Sequence, residues 1–355
     1  MTLHSAPGEN FPVRVCKLGL PDTAKSVTID GVPLSLPKFD PQKILVIGDT
    51  GCRMKGAKAQ ACNDPVAWPF RLVSEMAAHQ KPDLIIHVGD YHYRETACPS
   101  GVNCTGSPFG DTWDVWRADF FSPVGSLLTA APWIMTRGNH EECNRGGKGW
   151  SRTLEPTAFD AEKGCNVAMS PPYLVKLKDL TIAVMDVASA NEDKVEPAQV
   201  ERFRTEFKAL SNLGPTWISL HKPIWSAEEL EGEKAVGDNK TLAAAAFGHI
   251  PGNVQALFSG HHHVFQVLSY DADLPLQIGA GHGGDWLDKG GPKNPAGFRI
   301  NDVTIKSGMV VAKQFGFATL EKQAEGWTLL NYDTYGKLMT RCSLKGRDAS
   351  CAAAN

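Results

Sequence analysis

Short runs of isoleucine, valine and leucine alternate with amphipathic stretches from Pro41 onward, and this alternation leaves few fold classes open. The apolar runs lie at 43–47, 84–88, 133–135, 217–220, 254–258 and 276–278. Candidate helices lie at 66–80, 112–128 and 197–210, and candidate hairpins at 173–185 and 315–332. Strand–helix–strand alternation of this kind predicts an α/β fold with buried sheets.

The length of 355 residues corresponds to about two domains, or to one large α/β domain with additions. Residues 1–40 are punctuated by proline and glycine, and we predict a lead-in segment there that packs on the core. We predict one main domain at 41–340, and a C-terminal tail at 341–355.

Charge and hydropathy exclude several classes of partner. The chain has 36 Lys and Arg against 39 Asp and Glu, a net charge of -3, which argues against a dedicated nucleic-acid-binding surface. No apolar run approaches the ~20 residues that a membrane-spanning helix needs, so we predict no membrane span. The sequence leaves the oligomeric state open.

Eight of the nine cysteines form couples that are close in sequence and lie in loop-like segments. The couples are Cys52/Cys62, Cys98/Cys104, Cys143/Cys165 and Cys342/Cys351. Such spacing predicts disulfides and a secreted or periplasmic protein; the alternative is a set of buried thiols in the cytosol. Cys16 remains as a competitor for Cys342 or Cys351. The N-terminus shows no export signal, so we expect a mature, trimmed form.

Polar residues follow five of the apolar runs, at the point where each run ends. They are Asp49, Asp90, the pair Asn139 and His140, the single His221, and the cluster His261, His262 and His263. In α/β sheets the ligand crevice lies outside the carboxyl ends of the strands. Each residue alone also fits a turn, a helix cap or a core histidine, but their joint occurrence predicts a metal site.

The ligand types indicate which metals fit this site. Two carboxylates, an amide oxygen and three imidazoles suit Fe, Zn or Mn, and a bridging carboxylate can hold two ions ~3.5–4 Å apart. Tyr93 follows Asp90 by three residues and adds a candidate phenolate. A phenol of pKa ~10 ionises at neutral pH only beside a strong Lewis acid, which indicates Fe(III).

The series GDTG (48–51), GDxxY (89–93), GNHE (138–141), an isolated His221 and GHxH (260–263) resembles the metallophosphoesterase, or calcineurin-like, superfamily. The tyrosine of GDxxY makes the chain most similar to the purple acid phosphatases. The resemblance implies a four-layer α/β/β/α sandwich with the metals at the C-terminal strand edges, so that the main domain is the catalytic domain. The N-terminal β-sandwich domain of the plant enzymes has no counterpart in the short segment before Pro41.

The resemblance also implies a role for each motif residue. Asp49, Tyr93 and His263 would hold Fe(III), Asp90 would bridge, and Asn139, His221 and His261 would hold a divalent Fe, Zn or Mn ion. His140 would position or protonate the phosphate ester.

The expected activity is hydrolysis of a small phosphate ester by a metal-bound hydroxide, as in a phosphomonoesterase of the acid phosphatase type. One alternative is a phosphodiesterase or nuclease with the same centre, and another is an iron-binding protein without hydrolytic activity. His140, which no metal ion requires, favours an enzyme.

Several further residues are candidates for the surroundings of the metals. Glu141 and Arg137 are candidates to orient His140, with loop hydrogen bonding and a structural ion pair as their alternatives. His92, His262 and His282 are candidates for supporting contacts; a solvent-facing histidine is the alternative for His92 and a plain glycine-rich turn that for His282.

Overall fold

Two β-sheets lie at the centre of the computed structural model, which describes residues 1–165, 168–231 and 234–354. The first sheet has seven strands, with parallel pairing among its three strands at 43–47, 84–87 and 133–135. In spatial order its strands are Asp348–Ala353, Leu338–Lys345, Trp327–Asp333, Gly316–Lys322, Lys43–Ile47, Leu84–His87 and Trp133–Met135.

The second sheet has ten strands, with a parallel block formed by 181–184, 216–219, 254–259 and 276–280. In spatial order its strands are Tyr173–Lys176, Thr181–Val184, Thr216–Ser219, Val254–Ser259, Leu276–Ala280, Phe265–Tyr270, Val303–Val311, Arg299–Ile300, Lys234–Asp238 and Trp225–Glu231. Three short hairpins join Thr2–Ser5 to Val15–Lys17, Val27–Ile29 to Val32–Leu34, and Met54–Lys55 to Lys58–Ala59.

Alternation along the strands divides the apolar side chains between two faces. Ile44 and Val46 point into a core shared by the two sheets, where they meet residues such as Phe258 and Ile278. The intervening residues of the first sheet pack on one layer of helices, and the outer face of the second sheet packs on another. The order helix, sheet, sheet, helix confirms the predicted four-layer α/β/β/α sandwich.

The helices cover the outer faces of the sheets. They are Phe70–His79, Trp113–Trp116, Leu127–Ala130, Gly147–Thr153, Pro197–Ala209 and Lys240–Ala246, with a π-helical turn at Arg117–Phe121 and a 3-10 turn at Asn139–Glu141. The helix expected from residue 66 begins at Phe70 because Pro69 disfavours helical geometry at the residue before it. The long helix expected at 112–128 is wrong: the segment divides into three pieces, and Pro123 and Gly125 interrupt the last stretch.

The two ends of the chain both pack on the sandwich. At the N-terminus His4 and Ser5 bond to the carbonyls of Ser151 and Arg152 on the helix Gly147–Thr153. At the C-terminus, residues 338–353 form the edge hairpin of the first sheet, where sequence analysis expects a tail from residue 341 onward. The hairpin alternates buried and exposed positions, as an edge strand with one covered face does. The division into domains stays a prediction.

All four predicted cysteine couples form disulfides, and Cys16 is exposed and free. Three of the bonds close loops, and the bond from Cys342 to Cys351 joins two neighbouring strands. Among the described residues, no helix combines the length and the apolar character needed to cross a bilayer.

Candidate metal centre

The parallel strands of both sheets end at one edge of the sandwich, and the predicted ligands lie on the loops just beyond them. Asp49 follows the strand 43–47 and Asp90 follows the strand 84–87 in the first sheet. His221 and His261 follow the parallel strands 216–219 and 254–259 in the second sheet. Residues separated by more than two hundred positions thus meet at one rim, as the strand order predicts.

Three of these loop residues adopt a left-handed backbone conformation that is uncommon for residues other than glycine. The φ angles are +54° at Asp49, +59° at Asp90 and +70° at His261. Such conformations persist where the surrounding contacts enforce them, and they concentrate at functional sites. Gly138 allows the close approach that this packing needs, since a Cβ there would lie 2.0 Å from Oδ1 of Asp90.

One half of the centre is built around the phenol of Tyr93. Its Oη lies 2.9 Å from Oδ1 of Asp49, 2.9 Å from Oδ2 of Asp90 and 3.1 Å from Nε2 of His263. A phenol has one proton and can donate it to one acceptor only. Three acceptors around one oxygen suit a cation bound by all four groups, with the phenol ionised.

The other half joins Asp90 to Asn139, His221 and His261. Nε2 of His221 lies 3.1 Å from Oδ2 of Asp90 and 3.0 Å from Oδ1 of Asn139. Nδ1 of His261 lies 2.8 Å from the same Asn139 oxygen, and one ligand atom each of Asp90, His221 and His261 lies within 4.8 Å of the others. The same carboxylate oxygen of Asp90 therefore faces both halves, as a bridging ligand must.

Hydrogen bonds behind the ligands fix which imidazole nitrogen faces the centre. Nδ1 of His221 lies 2.8 Å from the carbonyl oxygen of Val88, and Nδ1 of His263 lies 2.6 Å from that of Trp286. A carbonyl only accepts, so each Nδ1 carries a hydrogen, and each Nε2 can present a lone pair to the centre once its own proton has left. With those protons displaced, the inward atoms are all lone-pair donors, and this set of ligand atoms fits metal ions.

The charges in the centre explain the protonation of the free ligands. Burial disfavours the charged form of His221, but the carboxylate of Asp90 outweighs burial and raises its pKa to about 9. Burial likewise opposes the charged form of His263, yet Asp285 and Asp49 raise its pKa to about 10. Burial, with Asp49 and Asp90 adding to it, raises the pKa of Tyr93 well above 10. Metal binding at neutral pH must therefore displace protons from this cluster.

His140 lies against the centre, with its Nε2 3.9 Å from Oδ2 of Asp90. The centre of its ring lies 3.8 Å from that of Tyr93, with the two planes inclined by 36°, and its backbone N–H donates to Oδ1 of Asp90 at 2.8 Å. Nδ1 of His140 lies 2.8 Å from Oε1 of Glu95, and Nη2 of Arg145 lies 2.7 Å from the same nitrogen. Burial lowers the pKa of His140 to about 3, against the opposing charges of Asp90 and Glu95.

The partners of His140 differ from the sequence expectation. The residues predicted to orient it are Glu141 and Arg137, but its ring contacts Glu95 and Arg145 instead. Neither residue stands out in the sequence, because a charged residue in a loop near a motif is usually solvated. The signal present in the sequence is proximity, with Glu95 two positions after Tyr93 and Arg145 five positions after His140.

Glu141 and Arg137 support the loops by other contacts. The carboxylate of Glu141 accepts hydrogen bonds from the backbone N–H groups of Asp90, Tyr91, His92 and Gly138 at 2.9–3.1 Å. Arg137 donates to the carbonyl of Glu141 at 2.9 Å, and its Nη1 lies 3.3 Å from Oδ2 of Asp186. These are the loop hydrogen bonding and the structural ion pair that sequence analysis holds as alternatives.

A buried carboxylate that the sequence does not reveal holds the Tyr93 loop. Asp119 lies in the π-helical turn and is inaccessible to solvent. It accepts hydrogen bonds from the backbone N–H groups of Tyr93 at 2.8 Å, Arg94 at 3.2 Å and Cys52 at 3.2 Å. It also forms an ion pair with the guanidinium of Arg94. Asp119 therefore connects the Tyr93 loop to the backbone at Cys52.

A second missed pair lies beside His263. The guanidinium of Arg53 contacts both carboxylate oxygens of Asp285 and lies 5.2 Å from the centre of the Tyr93 ring. Oδ2 of Asp285 lies 3.4 Å from Nδ1 of His263, and Asp288 accepts from the backbone N–H of His263 at 2.6 Å. The loop after the strand 276–280 therefore supports a ligand from another strand.

The three histidines expected as supporting contacts lie in different surroundings. His92 bonds through Nε2 to the carbonyl of Gly110, and its backbone N–H donates to Glu141. His262 is buried and bonds through Nδ1 to the hydroxyl of Ser226. His282 is buried and bonds to the side chain of Asn331, so the loop brings it into the core instead of to the rim.

Comparison with known families agrees with this geometry. Residues 42–265, more than half of the chain, match the family model described as calcineurin-like phosphoesterase. The chain belongs to the calcineurin-like phosphoesterase family. Members of this family are metal-dependent phosphoester hydrolases with a dinuclear metal centre, and all of the motif residues from Asp49 to His263 lie inside the matched segment.

Solved structures with the same fold share little sequence with the chain. A purple acid phosphatase from yellow lupin (Lupinus luteus) aligns with a TM-score of 0.55 and 11% identity over 88% of this chain and 54% of the lupin chain. GAP50, the anchor in the inner membrane complex of Plasmodium, aligns with a TM-score of 0.53 and 12% identity over 87% of this chain and 90% of that chain.

The structure of PhoD aligns with a TM-score of 0.52 and 11% identity over 91% of this chain and 74% of that chain. The chain thus spans about half of the lupin enzyme. No curated protein sequence matches the chain. At these identities the similarity shows a shared fold.

Proposed function

We propose that the chain is a phosphomonoesterase of the purple acid phosphatase type that acts on small phosphate esters. Fe(III) would bind Asp49, Asp90, Tyr93 and His263, and a divalent Fe, Zn or Mn ion would bind Asp90, Asn139, His221 and His261. When bound, the two ions supply Lewis acidity and the activation of water. The single observation that carries the proposal is Tyr93 Oη, enclosed by three other acceptors at 2.9–3.1 Å.

The phenol of Tyr93 favours a trivalent ion in its half of the centre. Its burial, together with two neighbouring carboxylates, raises its pKa well above 10. Ionising such a group needs a strong opposing charge, which a trivalent cation supplies better than a divalent one. The other half has imidazole and amide ligands, which suit a divalent ion of the first transition row.

His140 would help to position the phosphate ester, at the oxygen that leaves. Glu95 holds its Nδ1 and Asp90 holds its backbone N–H, so that two carboxylates fix the ring beside the centre. Nε2 of His140 lies 3.9 Å from Oδ2 of Asp90, on the side of the ring that faces the ligands. A positioned acid–base group of this kind contributes about 10²–10⁴-fold to the rate.

Four disulfides support placing the protein in an oxidising compartment, and we propose that it is secreted or periplasmic. The reducing cytosol disfavours such bonds. The loops closed by Cys52–Cys62, Cys98–Cys104 and Cys143–Cys165 flank the metal ligands in sequence.

Steady-state kinetics of the Fe- and Zn-loaded protein test the activity. We expect turnover of p-nitrophenyl phosphate to exceed that of bis(p-nitrophenyl) phosphate, and His140→Ala to lower kcat by about 10²-fold or more with both ions retained. Faster turnover of the diester would favour the phosphodiesterase alternative. Absence of turnover on both esters, with two ions bound, would favour the iron-binding alternative.

Visible absorption tests the ligand assignment independently of turnover. A phenolate bound to Fe(III) gives a charge-transfer band, so Tyr93→Phe should abolish the colour of the loaded protein. Tyr91→Phe is a matched control, because its Oη bonds to the carbonyl of Thr136 at 3.1 Å and not to a ligand. A colourless wild-type protein with bound iron would contradict the trivalent assignment.

A further inference from the structure

An ion pair borders the half of the centre that contains His261. Oε2 of Glu192 lies 3.2 Å from Nε2 of His261, and Oε1 of Glu192 pairs with Nζ of Lys222 at 2.6 Å. Lys222 is buried and also donates to the carbonyl of Ala190 at 2.9 Å. Glu192 and Lys222 lie outside the motifs that carry the family resemblance. Neither of them belongs to the proposed set of metal ligands.

The loop that carries Glu192 is fixed at its backbone by two helices. The carbonyls of Asn191 and Glu192 accept hydrogen bonds from the first residues of the helix Lys240–Ala246, each at 3.3 Å. The backbone N–H of Asn191 donates to Oε1 of Gln199, on the helix Pro197–Ala209, at 3.0 Å. A carboxylate on an anchored loop can hold a neighbouring ring in one orientation at little cost in conformational entropy.

The contact with Glu192 determines which ring nitrogen of His261 is directed at the other ligands. A carboxylate accepts only, so Nε2 of His261 carries its hydrogen toward Glu192. Nδ1 then presents its lone pair to Oδ1 of Asn139, at 2.8 Å, where the other ligands of this half converge. The corresponding outward nitrogen of His221 meets a neutral carbonyl, that of Val88. The carboxylate contributes a full negative charge in addition to orientation.

We propose that Glu192, held in place by Lys222, is a positioning residue that orients His261 and sets the affinity of the second half for its divalent ion. The inference rests on the proposed function, which places that ion among Asp90, Asn139, His221 and His261. Partners behind a metal-bound histidine fix its tautomer and raise its basicity, and their loss typically weakens metal binding by about 10–100-fold.

Loss of the carboxylate also changes the charge around the ion. In Glu192→Gln the ammonium of Lys222 stays near the carbonyl of Ala190 but loses the carboxylate that lies 2.6 Å from it. The ammonium, with less negative charge around it, then repels the divalent ion more strongly. Orientation and charge both act in the same direction, so the variant should bind the divalent ion more weakly.

The test is a zinc titration of protein that already carries Fe(III), in competition with a chromophoric chelator. We expect Glu192→Gln to raise the Kd for zinc by about 10–100-fold, with the visible band of the Tyr93 half unchanged. Glu192→Asp keeps the charge but is one methylene shorter, and should raise the Kd less. Glu196→Gln is the matched control. Glu196 lies four positions after Glu192, and its carboxylate contacts Lys194 and Asn191. The Kd of this variant for zinc should equal that of the wild type.

The outcomes separate this inference from the proposed function. A Kd within threefold of the wild-type value in Glu192→Gln would overturn the role of Glu192 and leave the proposed function intact. Equal loss of zinc and of the visible band would overturn it too, because the effect would then be general. Failure of the wild-type protein to bind zinc beside Fe(III) would refute the proposed divalent half, and the inference with it.

Discussion

Replacement of Asp119 by asparagine should destabilise the fold more than any exposed substitution in the same segment. Asp119 is inaccessible to solvent, and each of its oxygens faces two donors. Oδ1 accepts from the backbone N–H of Cys52 at 3.2 Å and from Nε of Arg94 at 2.5 Å; Oδ2 accepts from the backbone N–H groups of Tyr93 at 2.8 Å and Arg94 at 3.2 Å.

The size of the effect follows from these four contacts. In Asp119→Asn the amide NH2 replaces one oxygen, so whichever way the side chain turns, it directs hydrogens at two existing donors. Hydrogen bonds to a charged group contribute about 1.5–3 kcal/mol each. The change also leaves the buried guanidinium of Arg94 without its counter-charge, and breaking a buried ion pair costs about 3–5 kcal/mol. The contributions overlap, and we expect a loss of about 3–5 kcal/mol in the free energy of unfolding.

Equilibrium unfolding of the metal-free protein in urea measures this loss, with disulfides intact. Circular dichroism and tryptophan fluorescence must give the same midpoint for the free energies to be compared. Asp114→Asn is the matched control, because its exposed carboxylate lies 3.5 Å from Arg117 in the same segment and should contribute at most about 1 kcal/mol. A loss below about 1 kcal/mol in Asp119→Asn would refute the reasoning, since removing a buried ion pair should cost more free energy than removing an exposed one.

Three further measurements test other parts of the structure. Burial alone would raise the pKa of Glu95, but the paired imidazole and guanidinium lower it to about 2. This carboxylate therefore stabilises the fold above about pH 4.5, a contribution lost as the pH falls toward 2. In Glu95→Gln the unfolding free energy should fall less steeply over this range than in the wild type; an unchanged acid profile would contradict the pairing. Thiol titration of the unfolded, unreduced chain should find one thiol, that of Cys16, and nine after reduction; nine before reduction would refute the disulfides. Gly89→Ala places a Cβ 2.5 Å from Nδ1 of His221 and should lower bound metal, whereas Gly101→Ala, with a similar positive φ and open space around it, should not; equal metal contents would contradict the packing.

The positions of the candidate metal ligands could be predicted because they follow short strands. Asp49, Asp90 and Asn139 each come after an apolar run, and parallel strands in one sheet end at the same edge. The apolar runs themselves are local signals, since β-branched residues form strands for reasons of side-chain sterics. The assignment of each residue to one ion stays a prediction, for which the distances around Tyr93 and Asn139 are the support.

The segment 112–128 shows where a local signal is insufficient. Its apolar residues favour one helix, yet the structure contains a π-helical turn that brings Asp119 beneath the Tyr93 loop. A π-helical turn costs backbone energy, and contacts with another part of the chain compensate for it. Pro123 and Gly125 mark the end of the regular stretch in the sequence, but nothing local marks the turn.

The amino-acid sequence by itself determined the parallel strands that end at the rim, the four disulfide couples and the side chains delivered to the rim, because apolar runs and cysteine spacing are signals local to the chain. Only the tertiary structure decided what lies behind those side chains. Glu95 at His140 and Glu192 at His261 are contacts between loops, and Glu192 lies 69 positions before its partner. No periodicity records such contacts, since the packing of the two sheets, and not the local chain, determines how close two loops come.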